Sequence, residues 1–126
     1  MWDLITHLDQ ETIDYLTSLG GIDAIVISHP HYYTTLDVWA KAFGCPVYLS
    51  SEDQQWLSCA DSTGSSRVPI ATLTMEVVEG VTAIKVGGHF DGSLVLHWGK
   101  RLFIADSMVT VPVTSSFLLQ LVFDGR

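Results

Sequence analysis

Read as a pattern of apolar and polar positions, the chain divides into two halves. Trp2, Asp3, Leu4 and Ile5 read as the end of a strand. Asp9 then stands where a helix cap belongs, before a helix to about Leu19 with Ile13, Leu16 and Leu19 on one side and Gly20-Gly21 as its stop. Residues 23–28 form a short continuous apolar run rich in β-branched side chains, as expected of a strand covered on both faces. A second helix is expected over residues 35–43, with Leu36, Val38, Trp39, Ala42 and Phe43 as its apolar side. Gly44 closes it and Pro46 forbids its continuation. Residues 47–49 read as a third strand, and Ser51-Glu52-Asp53-Gln54 has the form of a capping box opening a short helix to about Leu57. This alternation predicts an α/β layer.

A polar loop over residues 58–67 marks a change of pattern. Strands are expected at 70–78, 81–86, 94–98 and 101–105, with tight turns at Glu79-Gly80 and Gly99-Lys100, so this half reads as an antiparallel meander. The tail after Asp106 is apolar and ambiguous, and no internal repeat or low-complexity segment interrupts the chain.

Composition narrows the picture. The chain has 126 residues, enough for one domain, with 48% hydrophobic and 16% charged residues. Disorder needs the opposite balance. Six basic against fourteen acidic residues give a formal net charge of −8, which offers no footprint for a phosphate backbone, so a nucleic-acid partner is not expected. Cys45 and Cys59 match no zinc-ribbon spacing and supply no disulfide framework; they read as reduced thiols. The first ten residues lack a basic region and an apolar stretch of signal-peptide type, and the apolar segment 102–123 carries Asp106 and Pro112. Buried strands explain that segment better than a membrane span, and the expected compartment is the cytoplasm.

Three histidines carry the candidate chemistry. His29 and His31 follow directly on the 23–28 strand, where open α/β sheets place ligands, and in extended backbone two residues apart point the same way. Pro30 stiffens the pair. His89 lies between Gly87-Gly88 and Gly92-Ser93, in a loop where backbone can approach a ligand closely. A third imidazole would complete a three-histidine zinc site with an open fourth position. Asp106 ends the strand that contains Leu102-Phe103-Ile104-Ala105, again where strand ends meet sites. His7 and His97 read as structural, and Tyr32 and Tyr33 adjoin the histidine pair. No Gly-x-Ser-x-Gly elbow and no phosphate-cradling glycine loop is present.

Three segments, Ile27-Ser28-His29-Pro30-His31-Tyr32-Tyr33-Thr34, Gly88-His89-Phe90-Asp91-Gly92-Ser93 and Phe103-Ile104-Ala105-Asp106-Ser107, resemble successive motifs of the metallo-β-lactamase superfamily in order, spacing and strand context. The resemblance covers roughly residues 2–112 and is greatest to hydrolase-like members carrying His-Pro-His-Tyr-Tyr. It implies an α/β fold, an αββα sandwich forming a single partial domain over residues 1–126. Strands before Trp2 and elements after about residue 110 would be missing. It also implies zinc in the cleft, with His29, His31 and His89 as ligands and Asp106 as the carboxylate that bridges two metals in many members. Tyr33 and Thr34 stand where the family pattern has Asp and His, and no histidine follows His97, so one zinc per chain is expected rather than two.

The activity so implied is a zinc-dependent hydrolase that activates water against an ester, thioester, lactam or phosphodiester. Zinc lowers the pKa of its water to about 7; Asp106 would orient or deprotonate that water and Tyr33 would stabilise the developing oxyanion. The alternative is a truncated, non-catalytic paralogue that keeps the fold and acts only by binding. The expected partners are a small-molecule substrate and other copies of the chain, self-associating through exposed sheet edges; no membrane partner is expected.

Overall fold

Two sheets lie face to face, with helices against the outer side of the first. The computed structural model describes residues 1–58, 60–61, 66–113 and 116–121, so Cys59 and part of the polar loop lie outside the described residues. The first sheet is parallel and runs in the order β1 (Ile25–Val26), β2 (Val47–Ser50), β3 (Arg67–Ile70). Trp2 adds a single parallel bridge to Val26, which is all that remains of the strand end expected at residues 2–5. The second sheet is an antiparallel meander, β4 (Thr74–Val78), β5 (Val81–Lys85), β6 (Leu94–Trp98), β7 (Arg101–Phe103). The ambiguous tail contains a separate hairpin, β8 (Met108–Val113) and β9 (Ser116–Leu121). Pro112 fits there because a two-stranded ribbon leaves outward-facing backbone positions that need no ladder partner.

The alternation of side chains across β1 and β2 explains the layers. Ile25, Ile27, Val47 and Leu49 point to the helix side, where they pack with Leu36, Trp39 and Ala40. Val26 and Tyr48 point the other way, into a core shared with Val77, Ala83, Leu94 and Leu96 of the meander. Residues 24–28 are buried throughout, which is why Ala24–Ile27 are all apolar. The described residues thus provide the helix, sheet and sheet layers of the expected sandwich.

Helix α1 (Gln10–Ser18) begins as expected, with the Asp9 carboxylate accepting the Thr12 N–H at 2.8 Å. It lies on the surface with none of its residues buried, and Leu16 is its contact with the core. Helix α2 (Leu36–Phe43) is held more firmly: Trp39 is 1% exposed and its indole N–H donates to the Ile5 carbonyl at 3.1 Å. Truncating such a residue to Ala costs about 3–5 kcal/mol. Gly44 ends the helix in the left-handed conformation, φ 63°.

Two expectations change. The strand expected over residues 70–78 is two strands in two sheets, β3 and β4, because the chain crosses from one sheet to the other at residues 71–73. The Thr72 hydroxyl donates to the Thr74 carbonyl at 2.8 Å in that bend, and Leu73 is 70% exposed. Apolar content continues through the crossing, so the pattern hides it. The capping-box helix at 51–57 is a single 3-10 turn, Gln54–Trp56, preceded by Asp53 without a side-chain cap. The Ser51 hydroxyl is engaged by the Glu52 carboxylate and the Ile70 carbonyl instead.

Candidate metal centre

The four residues expected at the site come together at one end of the inter-sheet cleft. His29 leaves β1 in extended backbone, φ −165° and ψ 169°, and Pro30–Tyr32 then form a 3-10 turn. His31 therefore reaches the site from a turn, not from the continuous extended strand that the His-Pro-His spacing suggested. Pro30 starts this turn because its ring already holds φ near the value the turn needs. His89 arrives from the loop between β5 and β6. Asp106 follows β7, in the turn before β8.

The backbones carrying these groups are tied to each other. Leu94 N–H donates to the Ser28 carbonyl at 2.9 Å, joining the start of β6 to the end of β1 beside His29. Val86 and Gly87 N–H groups both donate to the Ser93 carbonyl, at 2.8 and 3.1 Å, which closes the neck of the His89 loop. Gly87 and Gly88 adopt φ of 65° and 92°, a region that side-chain-bearing residues avoid. The close approach expected of this loop belongs to Gly92, whose backbone rests on Ser50 and Asp53.

The distances suit an ion. His29 Nε2 and His31 Nδ1 are 3.2 Å apart, and His89 Nε2 is 3.5 Å from His31 Nδ1. Asp106 Oδ2 lies 3.4 Å from His29 Nε2, 3.9 Å from His31 Nδ1 and 3.7 Å from His89 Nε2. A tetrahedral ion with ligands at about 2.0–2.1 Å separates them by roughly 3.3–3.4 Å. All four ligand atoms lie within 4.8 Å of one another, a group that could hold a metal ion.

The donor set is prepared chemically as well. His29 is 2% exposed, and burial, the largest influence, lowers its pKa; His31 and His89 push the same way, against Asp106. The ring is held neutral, the form a metal requires. Its Nδ1 sits 2.8 Å from the buried Ser28 hydroxyl, and the tautomer with its proton there leaves the Nε2 lone pair facing the other ligands. The Ser28 N–H in turn donates to Asp3 Oδ1 at 2.7 Å. Asp3 takes a positive φ of 52° to make that contact, and burial raises its pKa.

Aromatic rings frame the cluster. Phe90 stacks on His29 at 5.7 Å and meets His31 edge-on at 5.2 Å. Trp56 stands on the far side of Phe90 at 5.8 Å. The tyrosine whose ring touches His29 is Tyr32, at 5.1 Å. The structure places Tyr33 in the helix-side core, 9% exposed, with burial raising the pKa of its hydroxyl. His7 and His97 lie outside the cluster; His7 is exposed beside Asp9, and His97 is exposed on β6. Ser28, Asp3 and Gly92 were not singled out by their own chemistry: a serine before a histidine and a glycine in a loop have no distinctive spacing.

No family model matches the chain. It is 39% identical over 124 residues to the uncharacterized protein YmaE of Bacillus subtilis (strain 168), a match covering 94% of this chain and 44% of that protein. Among solved structures, it is similar to MEM-A1, a subclass B3 metallo-β-lactamase isolated from a soil metagenome library. That likeness has a TM-score of 0.50 and 15% identity, over 86% of this chain and 46% of the other. The metallo-β-lactamase SMB-1, solved in complex with mercaptoacetic acid, gives a TM-score of 0.52 and 12% identity, over 87% and 46%. The chain spans less than half the length of the proteins it matches. Over the part of the architecture that it spans, with three histidines and an aspartate gathered at one end of the cleft between its sheets, the chain has the metallo-β-lactamase fold.

Proposed function

We propose that the chain is a zinc-dependent hydrolase with one zinc per chain, acting on an ester, thioester, lactam or phosphodiester. The observation that carries this reading is the convergence of three imidazole nitrogens, at the spacing of ligands to one tetrahedral ion, with the Asp106 carboxylate beside them. Three neutral nitrogen ligands suit zinc and leave a position open to solvent and substrate.

His29, His31 and His89 would hold the ion. A zinc bound there supplies Lewis acidity toward a carbonyl or phosphoryl oxygen and a water acidified to a pKa of about 7. The Asp106 side chain is 51% exposed, so its carboxylate can both orient a water beside the three nitrogens and accept its proton. Buried His29, braced by Ser28, fixes one corner, while the half-exposed His31 faces the substrate side. The Phe90 ring, met edge-on by Trp56, gives the site an apolar border beside His31.

The test joins metal stoichiometry with turnover. The purified chain is expected to carry about one zinc and to hydrolyse at least one of the four substrate classes, with activity lost on chelation and restored by zinc. One tightly bound zinc without turnover on any class would make this a metal-binding protein that is not a hydrolase. No tightly bound metal would remove both readings.

A further inference from the structure

The loop that carries His89 is held from outside by two adjacent acidic residues that the metal centre itself does not use. Glu52 and Asp53 follow β2, and each grips the loop on a different side. On the leading side, Lys85 at the end of β5 donates to Glu52 Oε2 at 2.6 Å and to the Ile70 carbonyl at 3.1 Å. The Ser50 and Ser51 hydroxyls converge on the same Glu52 oxygen, at 2.7 and 2.8 Å. On the trailing side, the Gly92 N–H donates to Asp53 Oδ1 at 3.1 Å, in a fully buried contact.

Asp53 is an unusual residue to find there. It is 1% exposed, caps nothing, and its second carboxylate oxygen has no partner among the described residues. A buried polar atom without a partner costs stability. Gly92 is matched to Asp53: a Cβ at that position would come within 2.7 Å of Asp53 Oδ2 and still closer to Ser50. The contact therefore brings backbone directly onto the carboxylate.

We infer that the Glu52-Asp53 pair is a positioning clamp for His89, fastening its loop at Lys85 four residues before the histidine and at Gly92 three residues after it. Within the loop, Phe90 N–H donates to Ser93 Oγ at 2.9 Å and Ser93 N–H to the Phe90 carbonyl at 3.1 Å. The segment between the two anchors is thus a small rigid body. Fixing its ends fixes the imidazole. His29 is set by its own strand and Ser28, and His31 by the turn after it; the third nitrogen depends on the clamp. A site whose ligands are misplaced by an ångström loses affinity without losing any ligand. The inference rests on the metal reading above, but the clamp is also readable in metal-free protein.

Cobalt(II) serves as the probe, because its visible absorption reports coordination. Asp53→Ala is expected to weaken cobalt binding at least tenfold and to move the spectrum toward that of His89→Ala. Asp53→Asn, which keeps an acceptor for Gly92, is expected to bind within about threefold of the unmodified chain. Lys85→Met frees only the leading side; it should weaken binding by less and carries the test if Asp53→Ala does not fold. Val77→Ala, in the inter-sheet core, controls for lost stability. Hydrogen exchange at the Gly92 amide, read without metal, should quicken in Asp53→Ala and not in Val77→Ala. Unchanged cobalt affinity and spectrum in Asp53→Ala, or an equal loss in Val77→Ala, would overturn the clamp. If the unmodified chain takes up no cobalt, the proposed function fails, and unaltered exchange at Gly92 would then overturn the clamp separately.

Discussion

The buried hydroxyl of Ser28 lies 2.8 Å from Nδ1 of His29, while Nε2 of the same ring faces the other ligands. Outer partners of this type are worth about 10–100-fold in metal affinity. Ser28→Ala removes the hydroxyl and leaves the backbone N–H bond to Asp3 in place. The expected result is a zinc affinity lower by that factor, measured by competition with a chromophoric chelator. The far-ultraviolet circular dichroism should be unchanged. An affinity equal to that of the unmodified chain would mean that packing alone orients His29.

Gly92 and Gly99 should respond differently to the same substitution. An added Cβ at Gly92 collides with Ser50 and Asp53, whereas at Gly99 nothing lies within 4 Å and only the φ of 60° is unfavourable. Gly92→Ala is expected to lose about 1–3 kcal/mol through overpacking and to lower metal affinity as well, since the His89 loop must shift. Gly99→Ala should cost about 1–2 kcal/mol for the left-handed conformation and leave metal affinity alone. Urea melts with zinc titrations on both variants separate the two effects.

Neighbouring carboxylates here oppose each other in their response to pH. The Lys85 ammonium and the Ser50 hydroxyl hold Glu52 down at about 2, so its contribution to stability is present above the ordinary value of 4.5 and is lost as pH falls toward 2. Burial raises Asp53 above its ordinary 3.8, so ionising it in the fold costs stability as pH rises through its folded value. Glu52→Gln should therefore be less stable than the unmodified chain at pH 7, with the gap closing between pH 4.5 and 2. The Glu52 side chain is 41% exposed, which keeps that gap small. Asp53→Asn should be more stable at pH 7, with the gain vanishing below pH 3.8. Urea midpoints at several pH values check both signs.

The site was more legible in the sequence than the elements around it, and particular residues show why. His29, His31, His89 and Asp106 each follow a strand or sit among glycines, places where the backbone pattern itself changes, so chemistry and local structure point to the same positions. β6 (Leu94–Trp98) is legible because Gly92 stands before it and the Gly99-Lys100 turn after it. The split between β3 and β4 is not, because which sheet a strand joins is decided by long-range pairing such as Ser50 with Ile70. Locally, Asp53 belongs to Ser51-Glu52-Asp53-Gln54, the pattern of a helix start. Its partner Gly92 lies thirty-nine residues away, and no local pattern reports a contact at that range. Tyr33, two residues after His31, follows the 3-10 turn as its C-cap and enters the helix-side core, which the sequence spacing does not report.

Asp106 is the residue on which the hydrolase reading turns. Its Oδ2 lies 3.4–3.9 Å from the three imidazole nitrogens, yet half of the side chain remains open to solvent. A carboxylate so placed can take a proton from a water beside the histidines, a role worth about 10²–10⁴ in rate. Asp106→Asn keeps the shape and removes the basicity. Three imidazoles remain, so zinc content should fall little while turnover on a responsive substrate falls by at least about a hundredfold. His89→Ala should lower zinc content and turnover together, because it removes a ligand from the tight set. The measurement is zinc per chain and turnover for both variants with one substrate. Full turnover in Asp106→Asn would return Asp106 to the role of a solvated carboxylate at a strand end, and the proton would then have to be taken by another group.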